Sequence, residues 1–298
     1  MSLPNFTDGS EGVFENMPDP DYRAASGVSN SALKHIALDG DEPGSPAHFV
    51  QSFLDPKEDT DALFMGRMVH SRILTPDEPV PGVIEIPENY TNEKGEAKPW
   101  AGNAKVCKNW LEKQKAAGLR PMRVEQIEAM DGIVNAIAQN EDCKVIFADG
   151  KPEVSLFKRW YRNDGMILRK ARMDWLPRYG PLVDIKTCQD ARACDFDSTM
   201  WKRRYYVQAS FYLDLHNELN PDDQREGFVF IAVEKFAPFN IQIFQVDESD
   251  LDNGRREYQR NLSLVIECLK TGSWPGYQGG IQPIKVRYPY NRRTIIPD

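Results

Sequence analysis

Met166-Ile167-Leu168-Arg169-Lys170-Ala171-Arg172-Met173-Asp174-Trp175-Leu176, the break Pro177-Arg178-Tyr179-Gly180-Pro181, and Leu182-Val183-Asp184-Ile185-Lys186-Thr187 form the stretch on which the fold turns. Two apolar, β-branched runs around a Pro- and Gly-bounded break read as two strands and a tight connection. With that turn centred on Tyr179, residues equally distant from it pair, which sets Asp174 opposite Asp184. Directly opposed side chains have Cβ atoms about 4.5 to 5.5 Å apart, and two like charges so placed repel. Lys186 lies two residues past Asp184 and shares its face, while Val183 and Ile185 turn to the other side and the core. One strand face therefore carries two acids and an ammonium group.

A hard divalent cation such as Mg²⁺ suits this set, because it prefers carboxylate oxygens, keeps several waters and uses one or two protein carboxylates beside a phosphate. It would polarise a phosphoryl oxygen and acidify a bound water, with Lys186 orienting that water or offsetting charge on phosphorus. Phosphodiester hydrolysis is the chemistry such an arrangement fits. The same three residues also read as a solvated cross-strand network in which the lysine neutralises the pair, so their surroundings must decide.

Working outward, Glu153 to Tyr161 precedes Asn163-Asp164-Gly165 and completes a three-stranded antiparallel meander. A helix of about 203–219 follows, then strands 227–234 and 240–246, then a helix over 248–271. Upstream, Ser29 or Ser31 caps a helix through Leu33, Ile36 and Ala37 that Gly40 ends, and Ser45-Pro46 starts another over 47–53. Further helices are expected at 59–74, 103–117 and 123–140, with 78–102 as an irregular excursion. Helices, three strands, helix, two strands and helix make an α/β fold with one mixed central sheet flanked by helices. Residues 1–21, rich in Pro and acids, read as a mobile or loosely docked lead-in. The rest reads as a single domain: a mainly helical part over 22–150, a core over 151–277 and a tail over 278–298.

The 298 residues are 41% hydrophobic and 28% charged, which is ordinary for a protein with a substantial core. No run of about 18 apolar residues occurs and the start of the chain lacks a basic, apolar leader, so a cytoplasmic location without membrane contact is expected. Five scattered cysteines without zinc-like spacing read as buried thiols. A net charge of −8 excludes coating of nucleic acid by bulk attraction. Basic residues nevertheless concentrate at Lys158 to Arg178, including Arg172, and at Lys202, Arg203 and Arg204. These read either as a local DNA channel or as solvated faces.

Asp174 followed by Asp184-Ile185-Lys186 resembles the D…D-x-K signature of the PD-(D/E)xK nuclease superfamily. Gly66-Arg67-Met68-Val69-His70 is similar to the G-x-x-x-H helix of its RecB-like branch, Glu153 sits where that branch has a glutamate, and Gln208 with Tyr212 matches its Q-x-x-x-Y. Tyr22, Ser29-Asn30-Ser31-Ala32-Leu33-Lys34, Ser45-Pro46-Ala47-His48-Phe49 and Gly272-Ser273-Trp274-Pro275-Gly276 are similar to RecE-type exonucleases of phages and prophages (exonuclease VIII). The resemblance spans about 22–277. It implies a restriction-endonuclease-like core and a 5′ to 3′ double-strand DNA exonuclease acting at duplex ends. It further implies a ring-shaped homo-oligomer and a single-strand annealing partner.

Carried over by position, His70, Asp174, Asp184 and the Ile185 carbonyl would hold Mg²⁺, or Mn²⁺ in its place. Lys186 would be the catalytic lysine, Glu153 would assist metal or water placement, and Gln208 with Tyr212 would position the lysine or a phosphate. Ser29, Ser31 and Lys34 would meet a DNA 5′-phosphate, although helix capping accounts for the serines equally well. Relatives with an iron-sulfur cluster carry one early cysteine, and here none precedes Cys107, so no cluster is expected. A structure-specific endonuclease and a catalytically idle DNA-binding protein are the competing readings.

Overall fold

A computed structural model of the chain describes residues 4–37, 44–55, 60–77, 82–162, 165–277 and 279–281. The elements begin with β1 (Gly12–Phe14), α1 (Asp19–Ala24), β2 (Val28–Ser29), α2 (Asn30–Leu33), α3 (Pro46–Leu54) and α4 (Asp61–Leu74). They continue with β3 (Val83–Glu85), β4 (Asn89–Thr91), β5 (Ala97–Pro99), α5 (Lys105–Ala116), β6 (Arg120–Met122), α6 (Val124–Gln139) and α7 (Glu141–Ile146). The second half holds β7 (Gly150–Arg162), β8 (Gly165–Pro177), β9 (Leu182–Cys188), α8 (Ala193–Lys202), α9 (Tyr205–Leu219), β10 (Phe228–Glu234), β11 (Ile241–Gln245) and α10 (Glu248–Thr271).

Strands β7, β8 and β9 are the expected antiparallel meander, and Trp175 pairs with Val183, the register that a turn centred on Tyr179 requires. Strand β10 joins β9 in parallel, setting Asp184 beside Phe230 and Lys186 beside Ala232, and β11 closes that edge antiparallel. The mixed sheet runs β1-β7-β8-β9-β10-β11, with β2 paired to β8.

Alternation along β9 and β10 feeds two cores. Leu182, Phe228, Phe230 and Ala232 pack with Phe211 and Leu215 of α9 and Tyr258 and Leu262 of α10. Val183, Ile185, Val229 and Ile231 face the opposite layer, made by Phe64, Met68 and Val69 of α4 and Met130, Ile133 and Ile137 of α6. Each fully buried Leu, Ile or Phe contributes roughly 1.5–3 kcal/mol by leaving water, which fixes the sheet between its helical layers. Caps set the helix ends: Thr60 Oγ1 accepts from Leu63 N at 3.2 Å and Ser45 Oγ from His48 N at 3.2 Å. Gly272, at φ 66°, ends α10 in the left-handed conformation that glycine tolerates.

Several expectations change. Residues 4–21 are docked rather than a loose lead-in: Gly12–Phe14 adds a strand to β7, and Phe6 is buried against Phe49 and Phe53. The helix at Ser29 is only the four residues of α2, and its expected stop, Gly40, lies outside the described residues. Of the stretch 78–102, expected to be an irregular excursion, the described residues 82–102 hold three short strands. The helix read as starting near 203 begins at Tyr205 and is preceded by a separate α8, whose two core-directed residues, Phe196 and Met200, gave little periodic signal. Four of the five cysteines are buried, but Cys194 is exposed. The turn residues 163–164 and the tail beyond Ile281 lie outside the described residues.

Candidate active site

The site forms where the β7–β8 ladder breaks. Pro152 pairs with Trp175 and Val154 with Met173, but the intervening Glu153 and Asp174 make no ladder pair. Glu153 sits at φ 51°, a left-handed conformation that costs a residue with a Cβ about 1–2 kcal/mol. Side-chain alternation in β8 shifts at the same place: Ala171 and Met173 enter the α9–α10 core, whereas Trp175 enters the α4–α6 core. A strand that changes face here frees Asp174 from both cores. Its Oδ2 accepts from Ile185 N at 2.8 Å, so the carboxylate is tied across to β9.

Helix α4 brings His70 over this break. Its Nδ1 lies 3.4 Å from Asp174 Oδ2, and its Nε2 donates to the Ile185 carbonyl at 3.0 Å. Ligand atoms of His70, Glu153 and Asp174 all lie within 4.8 Å of one another, the tightest potential metal set among the described residues. Burial works against an imidazolium here, yet the charge and hydrogen bond of Asp174 lift the His70 pKa to about 9. Burial would raise Asp174, but the adjacent His70 and Lys186 charges hold it below its ordinary value. Without metal, a protonated His70 thus places positive charge between a carboxylate and a carbonyl. A metal bound there would displace that proton.

Asp184 stands on the other flank and is only 2% exposed. Its Oδ2 lies 2.5 Å from Lys186 Nζ, and its Oδ1 accepts from Gln208 Nε2 at 2.5 Å. Burial and the charge of Asp174 push its pKa up to about 6. Burial opposes the Lys186 charge, but Asp184 more than compensates, so its pKa is raised and the ammonium persists at neutral pH. The expected sharing of one cation by Asp174 and Asp184 is therefore modified. The close set is His70, Glu153 and Asp174, with Asp184 alongside, held by Lys186 and Gln208.

Tyr212 lies on the same helix as Gln208, packed with Phe211 and Phe228, and burial raises its phenol pKa well above the ordinary value. A residue that sequence reasoning missed is Tyr205, whose ring centre is 4.9 Å from Lys186 Nζ and 5.7 Å from Lys34 Nζ. The signal was its position three residues before Gln208, which puts both on one face of α9.

The expected DNA contacts divide. Lys202 and Arg203 are exposed at the end of α8, and Ser31 is exposed on α2. Ser29 Oγ is used as a cap, accepting from Ala32 N at 3.2 Å. Arg204 is buried in an ion pair with Glu257, and Arg172 is turned inward to Glu153, so neither presents a guanidinium to a surface channel as their sequence position suggested.

The donor set fits a hard dication: carboxylates, one imidazole and a backbone carbonyl converge where the ladder is broken, and among the described residues the buried Asp184 Oδ2 has no hydrogen-bond partner beyond its ion pair with Lys186. His70, Glu153, Asp174, the Ile185 carbonyl and Asp184 are the groups that would hold such an ion. No helix among the described residues is long and apolar enough to cross a membrane.

A mixed sheet between helical layers, with D…D-x-K at a broken hairpin, defines the PD-(D/E)xK, restriction-endonuclease-like class of fold. The chain belongs to the family described as a PDDEXK-like domain of unknown function (DUF3799), which matches residues 29–287. A solved structure from Eubacterium rectale, whose name proposes an exonuclease, is similar at 14% identity with a TM-score of 0.58, covering 86% of this chain and 90% of that one. At that identity the likeness concerns the fold. A second solved structure, SSO0001, is 14% identical over 70% of this chain and 88% of its own, and its TM-score of 0.31 carries no argument. No curated protein matches the chain.

Proposed function

We propose that this chain is a divalent-metal-dependent deoxyribonuclease that hydrolyses phosphodiester bonds. The observation that carries the reading is Lys186 Nζ, 2.5 Å from the buried Asp184 and beside the convergent His70, Glu153 and Asp174. Membership of a PDDEXK-like family supports the same chemistry. A bound dication would supply charge neutralisation at a phosphoryl oxygen and an acidified water. Lys186, charged at neutral pH, donates a hydrogen bond and offsets negative charge instead of abstracting a proton. Gln208 fixes Asp184, Asp184 fixes Lys186, and the Tyr205 ring limits where the ammonium can move.

The finer reading is a 5′ to 3′ exonuclease acting on duplex ends, with Mg²⁺ as its metal and a 3′ strand left for an annealing protein in recombination. A ring of copies around the duplex would keep the enzyme on its substrate. The exposed Lys202 and Arg203 and the half-buried Lys34 are the cations that would meet phosphates. Incubation with linear and covalently closed duplex in Mg²⁺ tests this. Loss of linear DNA from its ends, with closed circles intact and EDTA blocking all loss, is the expected outcome. Cutting of circles would replace exonuclease by endonuclease, and no hydrolysis of either would overturn the nuclease reading.

A further inference from the structure

The segment ahead of the family-matched residues 29–287 is not an appendage to the site. Arg172 projects from β8 and forms an ion pair with Glu153, the one ligand candidate whose backbone is left-handed, at φ 51°. The same guanidinium donates to the Met17 carbonyl at 2.7 Å and lies 3.4 Å from Ser155 Oγ. The Tyr22 ring covers it at 5.7 Å. Two residues earlier on the strand, Lys170 Nζ donates to the carbonyls of Tyr22, Arg23 and Ala25 at 3.1, 3.3 and 2.6 Å. The strap over 17–25 is thus pinned to β8 by two cations, and one of them grips Glu153.

Glu153 and Asp174 are the one opposed pair that the β7–β8 ladder omits, its register being the same on both sides, and Glu153 leaves strand geometry there at φ 51°. A left-handed residue with a side chain persists only where its surroundings over-determine it. The guanidinium, anchored on its far side by the strap, supplies that constraint. We propose that Arg172 is a positioning residue that holds Glu153 in the metal-ligand set, and that strap residues Met17 and Tyr22 hold Arg172. This rests on the His70-Glu153-Asp174 set taking a divalent ion. It assigns Arg172 a role inside the protein in place of a DNA contact, and it makes residues 17–25 part of the active site.

Calorimetric titration of the full chain with Mn²⁺ tests the assignment. Arg172→Gln keeps a donor for Met17 but loses the charge that grips Glu153, and its Mn²⁺ affinity is expected to fall about tenfold, the lower range for partners that orient metal ligands. Glu153→Gln should lose at least as much, and the double variant should bind no more weakly than Glu153→Gln alone, because both changes remove one interaction. Additive losses in the double variant, or wild-type affinity in Arg172→Gln, would overturn the proposal. Tyr22→Leu, which removes the covering ring further out, should weaken Mn²⁺ about threefold and serves if Arg172→Gln does not fold; unchanged affinity there counts against the strap. Wild-type protein that takes up no Mn²⁺ would instead remove the ligand set itself, and this proposal with it.

Discussion

Asp184→Asn is expected to abolish cleavage, by roughly 10³-fold or more, and yet to raise the melting temperature of the metal-free protein at pH 7. The carboxylate is buried at 2% exposure, and burial with the neighbouring charge of Asp174 lifts its pKa from an ordinary 3.8 to about 6. A carboxyl whose pKa is raised by folding costs stability above that value and nothing below its unfolded one. At pH 7 in EDTA the wild type carries the whole cost, of order 1–3 kcal/mol, and below about pH 4 it carries none. The asparagine mimics the protonated form and still accepts from Gln208, while Lys186 keeps the charge of Asp174 and the Tyr205 ring beside it, so the variant should gain about 2–6 °C. Thermal scans in EDTA at pH 4 and pH 7 check this: the gain should be confined to the higher pH. A variant less stable than wild type at pH 7 would mean that Lys186 and Gln208 already compensate the buried charge in full.

Removal of the opposing cation has a different signature. Lys186→Met should also cost roughly 10³-fold in rate, but it leaves Asp184 buried with Gln208 alone. Breaking a buried pair by deleting one partner typically costs about 3–5 kcal/mol, so this variant should melt well below wild type or carry a protonated Asp184. Adding Asp184→Asn to Lys186→Met removes the stranded charge. The double variant should regain most of the lost stability while remaining inactive. Separate recovery of folding and activity in this way identifies the pair as built for chemistry at the expense of stability. If Lys186→Met kept near-wild-type cleavage, the lysine would be a neutralising partner and nothing more.

Much of this was legible from the hairpin alone. The Tyr179-centred register appears in the Trp175–Val183 pair, and period-two alternation sends Val183 and Ile185 to one core while Asp184 and Lys186 face the other layer. Those are local properties, written in spacing and turn residues. The face change at Asp174 was not legible, because Ala171, Met173 and Trp175 share one parity and only tertiary packing divides them between two cores. Glu153 could be placed on its strand by resemblance, but nothing in Pro152-Glu153-Val154 announces a left-handed backbone.

Arg172 reads from sequence as one cation among many between Lys158 and Arg178. Its inward role depends on Met17 and Tyr22, about 150 residues away in the chain and within a segment of few periodic signals. Phe6, Val13 and Phe14 are the apolar residues by which this segment docks, and three such residues spread over nine positions do not specify a partner. Long-range contacts of this kind are what a single sequence encodes least directly.

If His70, Glu153, Asp174 and Asp184 hold a divalent ion, that ion must be visible between them. A crystal structure with Mn²⁺ measured at its absorption edge decides this. One strong anomalous peak is expected about 2.1 Å, a distance suited to a small octahedral dication, from an Asp174 oxygen, with His70 and at least one of Glu153 and Asp184 as further ligands. Mn²⁺ bound elsewhere while the His70–Asp174 contact stays closed would contradict it.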